Sequence, residues 1–370
     1  MDCSDVVIVG GGPAGSTCAW ALHRAGLDVL VLDKSPFPRD KVCAGWITPE
    51  VIELLDLDLD DYRQGRTLQP IRRFRTGLLG SAMLTTDYGR TVSYGILRRE
   101  FDDYLLRRSG ARLRLGEAVK TLQHEDGRWR INGNVETPLL IGAGGHFCPV
   151  ARQLNPKNRH KEEIVTAQEM ECELSAAQLE TAGVQGETPE LYFLPELDGY
   201  GWCVRKGNTL NIGLGRTENR HLGDYVARFR DYLVQHGRIP ADMAGAFRGH
   251  AYRLASQRRQ RHVVDDGVLL IGDALGLAYP QSGEGIRTAI ESGLLAAQTI
   301  LDARGDYRKT SLQQYRDKLD AHFAGTDNEP VSLPLPEWFK RLIARGLMKS
   351  RTFARRVLLD KWFLHRAWKQ

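Results

Sequence analysis

The sequence lacks the cysteine spacing of a metal or iron–sulfur site. Its six cysteines are scattered along the chain and form no CxxC pair. This pattern is typical of a protein from a reducing compartment. Because the usual zinc and iron–sulfur motifs are absent, we predict no metal site.

The chain also lacks a long hydrophobic run. No apolar stretch reaches the roughly 18 residues of a membrane span, and the N-terminus leads into the first predicted strand without a signal peptide pattern. We therefore expect a cytoplasmic protein. With 370 residues, 42% hydrophobic and 26% charged, the chain has a globular composition and is long enough for two or three domains.

Outside the C-terminus the chain has no excess of positive charge. The formal net charge is +5, but residues 331–370 hold ten Lys or Arg against two acids, Glu337 and Asp360. The remainder carries 41 basic and 44 acidic residues and contains no recognisable nucleic-acid-binding module. We therefore predict no nucleic-acid partner.

A glycine-rich turn follows the first predicted strand, Val6–Val9. Gly10 permits a tight turn, Gly12 leaves room for a pyrophosphate at a helix N-terminus, and Gly15 allows close packing of helix and strand. The second strand ends at Asp33, 18 positions after Gly15, where an acid accepts hydrogen bonds from ribose hydroxyls. The pattern indicates FAD or NAD and disfavours NADP, whose 2′-phosphate an acid would repel.

Two later strands also end in glycine, at Gly142 and at Gly272 followed by Asp273. Each alone is compatible with an ordinary strand-to-helix turn. Together with Gly10, they predict one nucleotide spread along the carboxyl ends of three parallel strands. The turn Gly283-Glu284-Gly285 would then direct backbone N–H groups and a helix dipole at an electron-rich ring edge.

The order of these motifs resembles the FAD-dependent geranylgeranyl reductase family, within the p-hydroxybenzoate hydroxylase-like flavoproteins. The resemblance covers about residues 5–305. It rests on the glycine turn with Asp33, Arg98-x-x-Phe101-Asp102, Gly272-Asp273-Ala274-x-Gly276 and Pro280-x-x-Gly283-Glu284-Gly285-Ile286, followed by Ala289 and Ser292-Gly293.

The resemblance implies an α/β fold with a Rossmann-like FAD-binding domain of p-hydroxybenzoate hydroxylase type, an inserted β-sheet substrate domain and a helical C-terminal tail. We expect the FAD-binding domain to comprise residues 1–67, 96–160 and 262–305. The substrate domain would comprise residues 68–95 and 161–261, and the C-terminal tail residues 306–370. The short strands predicted between residues 74 and 94 would form a small inserted sheet. The cofactor contacts implied are Gly10, Gly12, Pro13, Ala14, Gly15, Asp33, Lys34, Cys43, Ala44, Arg98, Ala143, Gly144, Gly272, Asp273, Gly283, Glu284, Gly285 and Ile286.

Tyr200 and Trp202 match the Tyr-x-Trp of the family's substrate-domain strand, whereas Val204 and Arg205 replace its Phe-Pro. Two aromatics at i and i+2 lie on one sheet face and would line an apolar pocket. Core packing is the alternative. The altered pair leaves the size and shape of the substrate open.

Cys43 lies in a loop that resembles the family's cysteine loop facing the flavin. As the candidate catalytic residue, its thiol would donate a proton to a carbanion formed by hydride addition. The alternative is a small residue packed under the ring, because free cysteines are commonly buried.

The third strand end departs from the related hydroxylases. Gly144 replaces their aspartate, Cys148 a serine and Ala151 an arginine, which leaves Arg152. The loss of this aspartate weakens the expectation that NAD(P)H binds in the hydroxylase manner. The electron donor could be NAD(P)H or a reduced protein carrier. His146 is either a ligand-facing substitute or a structural or solvated residue.

The basic tail is predicted to form an amphipathic helix from Trp338 to Met348. Its apolar half holds Trp338, Phe339, Leu342, Ile343 and Leu347. The stretch from Phe353 to Trp368 is also amphipathic, but its apolar and basic residues are less clearly separated. Residues 338–368 would contact an anionic membrane surface, or dock on the protein's own body with the basic face solvated.

We therefore predict an FAD-dependent oxidoreductase that saturates carbon–carbon double bonds of an isoprenoid or other lipophilic substrate. One alternative is a flavin monooxygenase or halogenase of the same fold, acting on an aromatic or lipophilic substrate. A halogenase's second tryptophan is absent, because position 200 is Tyr. The other alternative is a flavin electron carrier.

Overall fold

The computed structural model describes residues 1–156, 164–218, 220–253, 261–324 and 343–366. The strands in these ranges are β1 (Asp2–Cys3), β2 (Val6–Val9), β3 (Val29–Asp33), β4 (Trp46–Ile47), β5 (Leu68–Ile71), β6 (Arg73–Leu78), β7 (Leu84–Asp87), β8 (Ser93–Ile96), β9 (Arg112–Leu115), β10 (Leu122–Glu125), β11 (Arg128–Ile131), β12 (Val135–Thr137), β13 (Leu139–Gly142), β14 (Ile164–Glu173), β15 (Glu190–Phe193), β16 (Gly199–Lys206), β17 (Thr209–Arg216), β18 (Arg248–Arg253), β19 (Val264–Asp265) and β20 (Val268–Leu270).

The helices are α1 (Pro13–Arg24), α2 (Pro49–Leu54), α3 (Leu59–Tyr62), α4 (Arg98–Arg108), α5 (Pro149–Leu154), α6 (Ala176–Thr181), α7 (Leu222–Gln235), α8 (Ile286–Ala303), α9 (Lys309–His322), α10 (343–347) and α11 (Arg351–Phe353). Gly145–Phe147 and Gly272–Ala274 are 3-10 turns, and Ala354–Phe363 continues α11 as a π-helix. No helix in the described ranges has the length and apolar character needed to span a membrane.

A six-stranded sheet forms the first layer, in the order β19-β20-β13-β2-β3-β9. Its strands are parallel except for the antiparallel pair β19 and β20. The four residues of β2 are all buried, as a parallel strand covered on both faces requires. The carboxyl ends of β2, β13 and β20 therefore meet at one edge, as predicted.

Helices α1 and α8 pack closely over this sheet. A Cβ on Gly293 of α8 would lie only 2.6 Å from the backbone oxygen of Ala14 in α1, so glycine is what permits the approach. Helix α9 adds Leu312, Tyr315 and Leu319 to the same core. The core of the sheet thus continues past residue 305, the boundary expected from the sequence.

The second layer is a seven-stranded sheet in the order β18-β14-β17-β16-β15-β6-β7. Helix α7 covers one face, where it buries Phe229 against Cys203 of β16. The other face packs against the C-terminal π-helix and includes Trp202 and Val204, which alternate with Cys203 along the strand. Strands β6 and β7 join this sheet, whereas β5 and β8 pair with β4 in a separate three-stranded sheet. The single small sheet expected between residues 74 and 94 is therefore split in two.

The predicted fold class is confirmed: a Rossmann-like parallel sheet, a second β-sheet layer and helices at the C-terminus. Of the two alternatives for the C-terminal tail, docking on the protein's own body is observed for the π-helix but not for the apolar residues of α10, and membrane contact stays a prediction. Leu358 and Phe363 of the π-helix dock on the protein's own body, whereas Ile343 and Leu347 of α10 are each 42% exposed. Trp338, Phe339, Leu342 and Trp368 lie outside the described residues.

Candidate functional site

A cavity of about 670 Å³ lies between the carboxyl edge of the six-stranded sheet and the face of the seven-stranded sheet that carries Trp202. Its wall contains most of the residues predicted to bind cofactor or substrate: Gly10, Gly12, Pro13, Ala14, Asp33, Lys34, Cys43, Ala44, Arg98, Ala143, Gly144, Tyr200, Trp202, Asp273, Gly283, Glu284, Gly285 and Ile286.

Two predicted contacts, Gly15 and Gly272, lie outside the wall of this cavity. A Cβ on Gly15 would be 1.9 Å from Gly10 O, and one on Gly272 would be 2.8 Å from Ala14 Cβ. The Gly272 N–H also donates to Ser292 Oγ at 2.9 Å. Both glycines therefore permit close packing behind the cavity, and their predicted contact with a cofactor stays a prediction.

At one end of the cavity, the backbone makes a cradle at the N-terminus of α1. Gly10 has a φ of 118°, and a Cβ there would lie 2.3 Å from Ala143 O. Asp33 is fixed beside the cradle, because its two carboxylate oxygens accept hydrogen bonds from the N–H groups of Gly11 at 2.8 Å and Ser35 at 2.9 Å. This geometry can receive a diphosphate at the helix N-terminus and a ribose beside the acid.

Positive charge dominates the middle of the cavity. Arg98 Nε and Nη2 each donate to the buried Asp102 carboxylate at 2.8 Å, and Arg39 Nη1 lies 3.3 Å from the same carboxylate. Two guanidinium groups thus share one carboxylate. The excess of positive charge favours an anionic ligand here.

Lys41 and His250 form a second polar pair on the same wall, which the sequence did not predict. Lys41 Nζ and His250 Nε2 are hydrogen-bonded. Burial lowers the pKa of Lys41 to about 8, with the Asp273 carboxylate acting in the opposite direction. Burial, and then the charge of Lys41, lower the pKa of His250 to about 3. The imidazole is therefore neutral near pH 7 and accepts from the lysine ammonium.

The turn at the start of α8 borders the cavity. Gly283 has a φ of 69°, and a Cβ there would lie 2.3 Å from Tyr252 Oη, so only glycine fits. The Gly283 N–H donates to Tyr279 O at 2.8 Å and the Glu284 N–H to Ser282 Oγ at 3.3 Å. These two N–H groups, expected to face the ligand, instead stabilise the turn. The N-terminus of α8 at Ile286 is left to present N–H groups to the cavity.

The Cys43 loop, residues 41–45, crosses the cavity wall and is held by side chains of the seven-stranded sheet. The Cys43 N–H donates to Glu169 Oε2 at 2.6 Å, and the Cys43 carbonyl accepts from Asn211 Nδ2 at 3.2 Å. Lys206, which is fully buried, donates to the Ala44 carbonyl at 3.2 Å. Cys43 thus lines the cavity on a loop whose backbone is fixed, and its Sγ accepts a hydrogen bond from the Gly45 N–H at 3.4 Å.

These supporting residues were not predicted. Glu171 completes the group, accepting from Lys206 Nζ at 2.7 Å and from Asn211 Nδ2 at 2.9 Å. Burial raises the pKa of Glu169 to about 7, against the lowering effect of Lys206. The sequence contained one indication of the site, since Glu169 and Glu171 are charged residues two apart in an otherwise half-apolar predicted strand.

Beside the Cys43 loop, the cavity wall is aromatic. It contains Trp46, Tyr200, Trp202 and Phe363, which we call the aromatic wall. Trp202 Nε1 donates to Asn211 Oδ1 at 2.7 Å, and the Tyr200 hydroxyl donates to Ser282 O. Because protein atoms satisfy both polar groups, the rings can offer apolar faces to a ligand. Sequence reasoning found Tyr200 and Trp202 but missed Trp46 and Phe363.

Gly144 packs closely against the turn that follows it. A Cβ on Gly144 would lie 3.1 Å from the Cα of Cys148, so the turn would have to give by a few tenths of an ångström to admit a side chain. His146 and Arg152 line the cavity beside this turn. The ligand-facing alternative for His146 therefore agrees with its position.

Taken in order along the cavity, these parts match an extended FAD. They are a cradle of glycine backbone with an acid beside it, a cationic middle, and a helix N-terminus facing an aromatic wall. The residues present therefore fit that cofactor. Their individual contacts with it stay predictions.

Comparison with known proteins agrees with this assignment. A family model described as an FAD binding domain matches residues 3–325. The chain is 33% identical over 330 residues to the menaquinone reductase of Mycobacterium tuberculosis, covering 82% of this chain and 78% of that protein. It is 30% identical over 323 residues to the geranylgeranyl diphosphate reductase of Rhodobacter capsulatus, covering 80% and 75%.

Solved structures share the fold. A geranylgeranyl bacteriochlorophyll reductase-like protein from Thermoplasma acidophilum superposes with a TM-score of 0.72 at 21% identity, covering 94% of this chain and 88% of that one. The flavin-dependent halogenase CmlS gives a TM-score of 0.68 at 20% identity, covering 95% and 71%. The fold alone thus accommodates both reductases and halogenases. From the family match and the reductase relatives, the chain belongs to the FAD-binding flavoprotein family that includes the geranylgeranyl reductases, and it is an FAD-dependent oxidoreductase.

Proposed function

We propose that this protein saturates a carbon–carbon double bond in an isoprenoid chain. The observation that carries the proposal is the position of the Cys43 loop, which lies in one cavity with the turn at the start of α8 and with the aromatic wall. An apolar wall suits a hydrocarbon substrate, because its burial releases water from both surfaces. The names of the reductase relatives point to the same substrate class.

In the proposed reaction, FAD held along the cavity would, when reduced, supply a hydride equivalent for one carbon of the double bond. The Cys43 thiol donates a proton to the other carbon, and the resulting thiolate takes a proton from water after product release. Glu169 and Asn211 hold the backbone of the Cys43 loop, so that the thiol stays at the cavity wall. Trp202 and Tyr200 would hold the chain and exclude water.

The test uses holoprotein reduced anaerobically with dithionite and freed of excess reductant. It is mixed with geranylgeranyl diphosphate, an archaeal-type digeranylgeranyl lipid or menaquinone. We expect the visible flavin absorbance to return and the product mass to rise by two hydrogens. Fully saturated analogues of the same lipids serve as the control and should leave the flavin reduced. Absence of reoxidation by all three unsaturated lipids would contradict the proposal.

The same reduced holoprotein, mixed in turn with menaquinone, with oxygen and with protein acceptors, separates the rival functions. Menaquinone that loses its quinone spectrum while its chain stays unsaturated would indicate ring reduction. Oxygen uptake matched by a hydroxylated or halogenated product would indicate a monooxygenase or halogenase. Reoxidation by a protein partner alone would indicate an electron carrier.

We also propose that α10 contacts membrane surfaces, where isoprenoid lipids reside. Ile343 and Leu347 lie one helical turn apart, and both are 42% exposed. Lys349 follows α10 and would favour anionic headgroups, whereas the Arg345 guanidinium donates to Pro195 O at 2.8 Å. Sedimentation with anionic vesicles should fall for the Ile343→Ser/Leu347→Ser variant and stay unchanged for an exposed control far from α10, Gly223→Ala. Equal sedimentation of the double variant and the native protein would contradict this contact.

A further inference from the structure

The C-terminal π-helix, Ala354–Phe363, supplies part of the cavity wall although it belongs to neither sheet. Its buried side chains pack on the face of the seven-stranded sheet opposite to α7. Phe363 is the residue of this helix that reaches the cavity. A segment far from the cofactor motifs in sequence therefore contributes to the wall of the space in which a substrate would lie.

Phe363 is fixed among the aromatic residues of this space. Its ring centroid lies 5.3 Å from that of Tyr200, 6.0 Å from that of Trp46 and 6.3 Å from that of Phe193. The side chain is only 1% exposed. Ring pairs at these distances and tilts are favourable, so Phe363 has a defined position and cannot be displaced without losing several of them.

Polar contacts hold the segment on both sides of Phe363. On one side, the Tyr88 hydroxyl donates to Asp360 Oδ1 at 2.8 Å. On the other, His365 Nε2 lies 2.8 Å from Glu284 Oε2, and the His365 ring stacks on Tyr279 with centroids 3.8 Å apart. Glu284 belongs to the turn at the start of α8, so His365 ties the C-terminal segment directly to the predicted flavin site.

The backbone of the segment is unusual in the same place. A π-helix of ten residues is rare, and π-helical turns are frequent at functional sites. His365 has a φ of 45°, a left-handed conformation that a non-glycine residue adopts only when surrounding contacts require it. The segment is therefore shaped by its contacts with the cavity rather than by its own helix preference.

We propose that Phe363 sets the length of the hydrocarbon chain that the cavity accepts, and that the His365–Glu284 pair keeps it in place. This inference rests on the proposed isoprenoid substrate. A phenyl ring occupies about the same space as an isoprene unit, so removing it would lengthen the accessible chamber by about one unit. A larger ring would shorten it.

The experiment compares Phe363→Ala and Phe363→Trp with the native holoprotein on prenyl lipids of graded chain length. Saturated, unreactive analogues are titrated first, and apparent Kd is read from perturbation of the bound flavin spectrum. Unsaturated lipids then give kcat/KM. We expect Phe363→Ala to shift the ratio of long-chain to short-chain binding by about tenfold towards the longer chain, and Phe363→Trp to shift it the other way.

Leu358→Ala is the matched control. Leu358 lies in the same π-helix and is 1% exposed, but it is outside the cavity wall. It should lower the melting temperature without changing the chain-length profile. If all three variants keep the native profile in the binding titration, Phe363 is only a packing residue and the inference is wrong. Length-dependent binding without any turnover would instead count against the proposed reduction while supporting the role of Phe363.

His365→Gln tests the second half of the inference. Loss of the His365–Glu284 contact should broaden the chain-length profile while leaving the position of its maximum unchanged. A lower melting temperature with an unchanged profile would contradict a positioning role for His365.

Discussion

The two ends of the cavity are built in different ways. The cradle at Gly10–Gly15 and Asp33 consists of backbone and one acid, and its glycines leave room where side chains would lie. All of it comes from one continuous stretch of sequence. The opposite end, comprising the Cys43 loop and the aromatic wall, is made of side chains from several distant segments. We infer that the cradle tolerates little change, whereas the other end can be altered to suit different substrates.

The largest effect should come from adding one carbon behind the cradle. In Gly15→Ala the new Cβ would meet Gly10 O at 1.9 Å, so α1 and β2 must separate. We expect a loss of more than about 3 kcal/mol in the free energy of unfolding and a purified protein nearly free of flavin. Denaturant titration and the flavin-to-protein absorbance ratio measure these changes.

Gly223→Ala is the matched control for this glycine substitution. Gly223 is exposed in α7, and a Cβ there would meet nothing within 4 Å. It should raise stability by about 0.5 to 1 kcal/mol, because alanine favours helix. Normal flavin content in Gly15→Ala would show that the cradle tolerates side chains and would remove the contrast between the two ends.

At the other end, Cys43→Ala should separate chemistry from binding. If the thiol is the proton donor, turnover of an isoprenoid lipid should fall by about a hundredfold, with flavin content unchanged. Cys172→Ala, outside the cavity wall, should keep native turnover. Native turnover in Cys43→Ala would show that the thiol is not the proton donor and that Cys43 is a packing residue.

The free energy of unfolding should depend on pH through Glu169, which holds the Cys43 loop. Because the pKa of Glu169 is raised from 4.5 to about 7, the folded protein holds a proton there that the unfolded chain releases. This contribution to stability is full below about pH 4.5 and is lost as pH rises through about 7.

Glu169→Gln keeps an acceptor for the Cys43 N–H and removes the titration. The stability of the native protein relative to this variant should therefore fall by roughly 2 to 3 kcal/mol between pH 4.5 and 7. Chemical denaturation of both proteins across this range measures the difference. A constant difference would contradict the assignment of Glu169 as a buried titrating group.

The smallest effect is expected at the aromatic wall. Tyr200→Phe removes the hydroxyl that donates to Ser282 O but preserves the ring. We expect a loss of about 1 kcal/mol in stability and an unchanged chain-length profile. A changed profile would mean that the Tyr200 hydroxyl, rather than the apolar ring, contributes to substrate selection.

The sequence marked two glycines of the cavity wall for a physical reason, Gly10 in the cradle and Gly283 in the turn at the start of α8. Gly10 and Gly283 have positive φ values and lie against backbone or a buried ring, so glycine at these positions is required by local geometry. Such requirements leave a pattern in the sequence. The sequence could not identify Lys41 and His250 as a pair, because their contact depends on a sheet edge brought against a loop more than 200 residues away.

The amino-acid sequence by itself determined the parallel sheet and its glycine-terminated strands, because strand periodicity and glycine requirements are local. The order of its motifs, through the resemblance to a flavoprotein family, indicated FAD as the cofactor. Only the tertiary structure decided how the Cys43 loop is supported and which residue closes the chamber. Glu169, Lys206 and Phe363 reach those positions through the packing of the seven-stranded sheet and the C-terminal π-helix. Their roles come from buried contacts between distant segments, and no local pattern records such contacts.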